Sequence, residues 1–511
     1  MNDGRIEVDV TVTNTGDTYT GKDVVQLYYT PPYSASDNIE KAYVNLVAFA
    51  KTEPIAPHGS DEVTLSFAIE DMASYDYKTE KAYVLGSGEY EIKLMKNAHE
   101  MFDGQSFVYN NDVEKVYDES SPRESEKAAQ SYMNSDGTLT DYPARRLSDA
   151  NAQYIAATNR FDDVSAYMDA SGMTNLSRSD WNNTFPTAME DKAAPDNVVS
   201  KLGAFDYETD AELGNVEGSK VYQETAPTTG AEKVFDLIDL RGKNYYDREW
   251  DQFLDQLTFS DEEVSIMLSG AYNTGEAVSI GKPATPDHDG PMGWSVLFGT
   301  QPDACAWCSE VMLAATWNVD LAYEMGETVG REALALGYNG WYAPSMNTHR
   351  SPFSGRNFEY YSQDGVHGGL ITAAVLSGVS SRGVYPYIKH FALNDQETNR
   401  NNVRTWADEQ TIREIYLRPF QYAVVSGGAS GVMTGFNCIG VVACSENYPL
   451  MTTILRNEWG WEGTAVTDYQ VGTVGNTLNN LEVMHRAGTN IPLGDRAANA
   501  RGSGVWDATL N

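Results

Sequence analysis

Two stretches of this sequence gather ionisable side chains directly after an apolar run. One is Lys389-His390-Phe391-Ala392-Leu393-Asn394-Asp395-Gln396-Glu397-Thr398-Asn399-Arg400, which follows Val384, Tyr385, Tyr387 and Ile388. The other is Gly463-Thr464-Ala465-Val466-Thr467, which ends in Asp468-Tyr469. A chain that stops burying apolar side chains and at once presents several polar donors is building a site. A carboxylate in such company can attack an electrophilic carbon or stabilise positive charge developing on it. Asp289, in Asp287-His288-Asp289-Gly290-Pro291-Met292-Gly293, and Arg356, in Arg350-Ser351-Pro352-Phe353-Ser354-Gly355-Arg356-Asn357-Phe358-Glu359, add a second carboxylate and a cation. Alone, Asp468 reads as a surface or capping residue, and Asp-Gly-Pro as a turn.

The elements that must position these residues are legible in outline. From 246 to 511, helical patterns alternate with short apolar runs at Gly340–Ala343, Val384–Ile388, Gly431–Thr434, Gly463–Thr467 and Asn490–Leu493. Ser260-Asp261-Glu262-Glu263 is a capping-box-like start to a helix carrying Val264, Met267 and Leu268. Asp408-Glu409 opens another, whose apolar residues Ile412, Ile415, Tyr416, Phe420, Ala423 and Val424 keep helical spacing up to Gly427-Gly428. The alternation predicts an α/β fold, a (β/α)8 TIM-like barrel, with an open doubly wound sheet as the alternative. Residues 1–98 instead show short β runs: Ile6, Val8, Val10 and Val12 alternate with polar residues, and Val24, Val25, Leu27 and Tyr29 follow a turn at Asn14-Thr15-Gly16-Asp17. These predict an all-β sandwich ahead of the barrel. Residues 99–245 read as an irregular connector packed on its neighbours.

Composition narrows the chemistry. The 511 residues carry a formal net charge of −37, which repels nucleic acid and anionic membranes. Neutral sugars are a compatible substrate. No apolar stretch of about 18 residues is present, so no membrane span is expected. No Gly-rich phosphate loop follows a strand, and no cofactor is expected. Cys305-Ala306-Trp307-Cys308 lacks a second CxxC, so no metal is expected, and the four cysteines read as small, partly buried residues. The start Met1-Asn2-Asp3-Gly4-Arg5 has no apolar signal core and enters almost at once into a strand. That favours a cytoplasmic location and a chain that begins inside a larger protein.

The Lys389–Arg400 segment resembles the K-H-F-x-x-N-x-Q-E-x-x-R signature of glycoside hydrolase family 3. Leu455-Arg456-Asn457-Glu458-Trp459-Gly460-Trp461-Glu462-Gly463 is similar to the family's run into its nucleophile, so the resemblance implies that Asp468 is the catalytic nucleophile. It further implies that Asp289, Arg356, Lys389 and His390 hold sugar hydroxyls, that Met433 forms apolar wall, and that Tyr469 stands at an aromatic platform. Three positions depart from the family pattern, and at the first Trp294-Ser295 stands where an Arg usually follows the Asp289 segment. Tyr469 replaces the usual Trp, and Phe436, in Met433-Thr434-Gly435-Phe436-Asn437, replaces the usual Tyr. The stretch Val12–Tyr28 resembles the family's fibronectin-III-like module.

The resemblance covers residues 5–98 and about 255–495, and it fits the multi-domain β-glucosidase and β-xylosidase branch. It implies a retaining exo-acting β-glycosidase whose substrate is a β-linked glucoside or oligosaccharide. In that branch the acid/base Glu comes from an α/β sandwich domain, which finds no match here. The expectation is therefore a permuted enzyme, with that domain supplied upstream or by a separate chain. A homo-oligomer is compatible with all of this. The alternative is a non-catalytic sugar-binding or scaffold relative, favoured by the two altered aromatic positions.

Overall fold

The computed structural model describes residues 4–125, 132–133, 139–140, 155–162, 177–181, 196–201, 230–243, 247–257, 272–296, 299–401, 403–469 and 481–494. The helix expected from Ser260 lies outside them.

The β-patterned start forms an antiparallel sandwich. Arg5–Thr13 pairs with Ser60–Ala68, and a four-stranded sheet runs in the order Asn45–Lys51, Val24–Thr30, Gly88–Asn97, Glu100–Asn111. A third sheet joins Ser74–Asp76, Ala82–Leu85 and Lys115–Tyr117, so strand pairing continues past residue 98 to Tyr117. The later strands escape a pattern search because Glu100–Asn111 is exposed along nearly its whole length and carries no apolar alternation.

Val24–Thr30 is buried on both faces, which explains why apolar residues occupy adjacent positions along it. Val25, Leu27 and Tyr29 point into the sandwich core, while Tyr28 joins Leu46, Phe49 and Met95 against the helices of the next layer. There the Phe49 ring lies edge-on to Trp317 at 5.0 Å and to His367 at 5.4 Å. The sandwich is thus fused to its neighbour through shared apolar surface, a term worth about 25 cal/mol per Å².

The second part is built on a six-stranded sheet in the order Asn273–Thr274, Thr285–Asp289, Gly340–Tyr342, Tyr385–Phe391, Gly431–Thr434, Thr464–Thr467. The last five are mutually parallel, and Asn273–Thr274 runs antiparallel at the edge. Ile491 adds a parallel bridge to Val466, where a strand was expected at Asn490–Leu493. Helices Val319–Leu336, Gly365–Ser380 and Arg418–Val425 return the chain between strands. The first two cross at glycines: a Cβ on Gly326 or Gly378 would collide with the facing backbone at Val375 or Tyr323. Among the described residues the sheet is a half-barrel rather than the closed eight-stranded cylinder the alternation predicted. The helix expected over 408–427 is also broken. Glu409–Thr411 gives way to a π turn at Ile412–Tyr416 before Arg418–Val425. Pro419 has no N–H to donate, so a continuous helix through it would lose a bond.

Candidate active site

All five parallel strands end at one edge of the half-barrel, and the residues singled out above collect there. Tyr385–Phe391 is almost wholly buried, down to Lys389 at 5% and His390 at 1% exposure. Their backbone is clamped by the loop after Gly340–Tyr342. Met346 N donates to Lys389 O at 2.7 Å, His390 N donates to Asn347 Oδ1 at 2.8 Å, and Asn347 Nδ2 donates to His390 O at 2.9 Å.

Asp468 leaves the neighbouring strand with its side chain 15% exposed, open to the mouth but not to bulk water. Tyr469 N donates to its Oδ1 at 2.7 Å, and His390 Nε2 lies 3.4 Å from its Oδ2. Burial pushes the Asp468 carboxyl above its usual range, although Arg356, Lys389, the Tyr469 amide and Arg400 all pull the other way. Arg356 binds Glu359 through Nε and meets His390 Nε2 through Nη1 at 3.1 Å. Burial opposes its charge, but Tyr360, Glu359 and Asp468 outweigh that.

The protonation of His390 follows from these contacts. Burial, then Arg356, Lys389 and Arg400, hold the ring well below the usual histidine range, so it is neutral. A guanidinium only donates, so Nε2 accepts from Arg356 and the single proton sits on Nδ1. From there it points to Tyr360 Oη at 3.5 Å, which also accepts from Asn394 Nδ2 at 3.2 Å. His390 and Asp468 are therefore not an ion pair. The histidine orients Arg356, and Arg356 supplies the positive charge.

Asp289 ends the strand Thr285–Asp289 on the other side of the pocket. Its Oδ1 lies 3.9 Å from Lys389 Nζ, and its Oδ2 accepts from Tyr272 Oη at 2.8 Å. Gly290 lets the chain turn away directly, at φ +140 and with its α-carbon packed on Gly293 and Trp294. Met433 is 2% exposed in a cluster with Tyr342, Tyr387 and Val466, below the pocket floor. Tyr469 is half-buried and its ring stands 6.1 Å from that of Tyr272. Arg400 pairs with Glu397 at 2.9 Å and lies 5.1 Å over the Phe436 ring. Burial raises the Glu397 carboxyl, Arg356 and Arg400 lower it, and Glu359 and Asp468 push it up again.

Asp468, Arg356, His390, Lys389 and Asp289 thus share one pocket, with Met433 beneath it and Tyr469 on its wall. Tyr272 and Tyr360 belong to it too and were missed in sequence. Tyr272 stands in no recognisable motif, and Tyr360 sits among aromatic residues that read as core. Cys305 and Cys308 are exposed rather than partly buried, while Cys438 and Cys444 are buried. Among the described residues no group of three His, Cys, Asp or Glu is placed to hold a metal ion, and no helix is long and apolar enough to cross a membrane.

Cavity size is a poor guide to this site. One cavity, about 1230 Å³, lies between the sandwich and the helices, lined by residues such as Phe67, Tyr117, Arg123 and Arg418. A second, about 810 Å³, opens at the opposite strand ends beside Tyr385, Ser430, Trp461 and Thr464. Neither contains Asp468. In sheets of this kind the chemistry gathers at the carboxyl ends of the strands, whatever the volume elsewhere.

Comparison with known proteins identifies what the chain is similar to. Residues 298–501 match the glycosyl hydrolase family 3 N terminal domain, and residues 23–98 match a fibronectin type III-like domain. The chain is 30% identical over 475 residues to β-glucosidase A of Butyrivibrio fibrisolvens, covering 91% of this chain and 51% of that protein. It is 37% identical over 223 residues to a β-glucosidase of Rhizobium radiobacter, covering 43% of this chain and 27% of that protein. A β-glucosidase structure from Paenibacillus barengoltzii superposes with a TM-score of 0.68 at 27% identity, over 99% of this chain and 50% of that one. The chain is thus similar to β-glucosidases, and it spans about half the length of the first of these relatives.

Proposed function

We propose that this chain carries the nucleophile and the sugar-holding half of a retaining exo-acting β-glycosidase of β-glucosidase type. One observation carries the reading: a strand-end carboxylate, Asp468, opens to a mouth whose other walls are a charged Arg356, Lys389 and a second carboxylate, Asp289. Asp468 attacks the anomeric carbon as the bond to the leaving oxygen breaks, giving a glycosyl ester that water then opens. Arg356 and Lys389 hold hydroxyls around the ring, Asp289 accepts from those hydroxyls by charge-assisted bonds, Tyr469 supplies apolar wall and Met433 backs the floor. The neutral ring of His390, with Nε2 turned to Arg356, steadies that cation rather than the nucleophile.

The leaving oxygen needs a proton from a second carboxyl about 5–5.5 Å from the nucleophile. We assign it to an α/β sandwich domain outside these 511 residues, with the remaining strands closing the half-barrel into a (β/α)8 cylinder. The half-length coverage of the relatives supports that assignment, as does the order of the matched regions, fibronectin-like first. A second reading, a sugar-binding relative without catalysis, draws on Phe436, whose position offers Arg400 a ring and no hydroxyl.

Labelling with a 2,4-dinitrophenyl 2-deoxy-2-fluoro-β-glucoside separates the two, because an activated leaving group needs little protonation. The expected result is a covalent adduct on Asp468. Sugar binding without any adduct supports the second reading. Turnover of cellobiose by the 511-residue chain alone at ordinary enzyme rates, about 10 per second, would show that the acid is already present.

A further inference from the structure

We propose that Tyr272 is a positioning residue of this pocket, whose hydroxyl fixes the rotamer in which Asp289 receives a neutral pyranose. The inference rests on the reading of the pocket as a sugar site. It adds a residue to which nothing so far gives a role.

Three observations meet at this side chain. Its hydroxyl donates to Asp289 Oδ2 at 2.8 Å, leaving Oδ1 on the side of Lys389. Its ring is held among other rings, stacked on His288 at 6.1 Å, tilted on Tyr342 at 5.7 Å and on Tyr469 at 6.1 Å. Its backbone has φ +61, a left-handed conformation that a bulky residue rarely adopts. Such an outlier persists where the surroundings over-determine it, and these cluster at ligand sites.

The physical consequence concerns the carboxylate. Asp289 is 30% exposed at its side chain, and Lys389 Nζ at 3.9 Å is too far for a hydrogen bond. The side-chain hydrogen bond that fixes its rotamer comes from Tyr272. With Oδ2 occupied, Oδ1 presents its lone pairs to ligand hydroxyls beside an ammonium group. A free rotamer has to be ordered at each binding event, and pre-ordering removes that penalty. The ring of Tyr272 also continues the wall begun by Tyr469, on the Asp289 side of the pocket, where the apolar face of a pyranose can lie.

The test is calorimetric binding of glucose to the full 511-residue chain, in wild type, Tyr272→Phe, Asp289→Ala and the double variant. Phe keeps the ring and its packing, so thermal unfolding should be unchanged. We expect Tyr272→Phe to weaken glucose about tenfold in the wild-type background, and by less than about twofold when Asp289 is already Ala. Equal losses in both backgrounds, or none in either, overturn the proposal, since a role in packing alone would not depend on residue 289. The two readings fail separately. Missing adducts on Asp468 with this coupling intact remove the enzyme reading and leave Tyr272 as assigned. Adducts on Asp468 with no coupling do the reverse.

Discussion

Two of the places where this protein buries charge are built differently. At the seam between the sandwich and the α/β part, Arg413 is 3% exposed and saturated. It donates from Nε to Glu409 at 2.9 Å, from Nη1 to Glu458 at 2.7 Å, and from Nη2 to the Thr158 carbonyl at 2.7 Å. Arg160 adds a bond to Glu458 at 3.2 Å, and the Arg413 guanidinium covers the Tyr75 ring at 5.0 Å. In the pocket, by contrast, Asp468 has one amide donor and a neutral ring nitrogen beside it, and Asp289 has one tyrosine hydroxyl. Charges that satisfy one another hold a fold together. Carboxylates with lone pairs to spare, next to an opening, are held ready for a ligand.

The comparison breaks most sharply at Asp468. Asp468→Asn removes the attacking oxygen but keeps the shape and the Tyr469 amide contact. Turnover of an activated aryl β-glucoside should fall at least about 10⁴-fold, while urea unfolding shows equal or higher stability because a buried charge has gone. A fall under tenfold means that the nucleophile lies elsewhere. In the wild type, the acidic limb of the pH–rate profile should lie above the ordinary aspartate range, because burial raises this carboxyl and only its ionised form attacks.

Arg413→Ala should show the opposite signature. Leaving Glu409 and Glu458 buried without their cation costs about 3–5 kcal/mol, read as a shift of the urea midpoint. Glucose affinity of the protein that remains folded should be unchanged. A stability loss under 1 kcal/mol means that the seam is solvated enough to do without the pair.

How much of this contrast was legible in sequence depends on how local each piece is. The Lys389–Arg400 stretch announced itself because the change from apolar to polar happens within one strand end. The Arg400–Glu397 pair lies three residues apart and needed no fold to be seen. Arg413 and Glu458 lie 45 residues apart, on two π-helical turns, and no periodicity links them. Tyr272 meets Asp289 only because its backbone turns left-handed, which no residue preference foretells. The sandwich strands with alternating burial were readable, whereas the exposed Glu100–Asn111 was not. Five parallel strands fit the barrel expectation, yet closure depends on contacts between the first and last strands, and no local pattern encodes those.

Lys389→Met sharpens the contrast from the pocket side. Met keeps most of the buried stem of Lys389, and no saturated partner is orphaned, since Asp289 retains the Tyr272 bond. Stability should move by less than about 1 kcal/mol, while glucose affinity drops by about 1.5–3 kcal/mol, the worth of a hydrogen bond to a charged group. Calorimetry and urea unfolding on the same preparation check both halves. Equal losses of stability and affinity would make Lys389 a structural cation like Arg413.

The smallest effect separates the two regions by pH. Glu414, on the π turn at the seam, accepts from the Tyr75 amide and from Gln410 Nε2, and burial pushes its carboxyl up to about 7 from 4.5. The folded state then binds more protons than the unfolded state between those values. Its contribution is complete below pH 4.5 and is lost as pH rises through 7. His367, beneath Phe49, acts oppositely: burial takes it down to about 4 from 6.5, so its contribution is lost as pH falls through that window. Glu414→Gln keeps an acceptor for Tyr75 and cannot ionise, and it leaves His367 in both proteins. The stability difference between variant and wild type therefore isolates Glu414. It should grow in favour of the variant by about 1–2 kcal/mol between pH 5 and pH 8, the full shift being discounted for partial exposure. Glucose affinity should follow the same pH course in both proteins, because the pocket shares no partner with this carboxyl. A difference flat across pH 5–8 would place Glu414 in water, and the seam would then hold its charge by saturation alone.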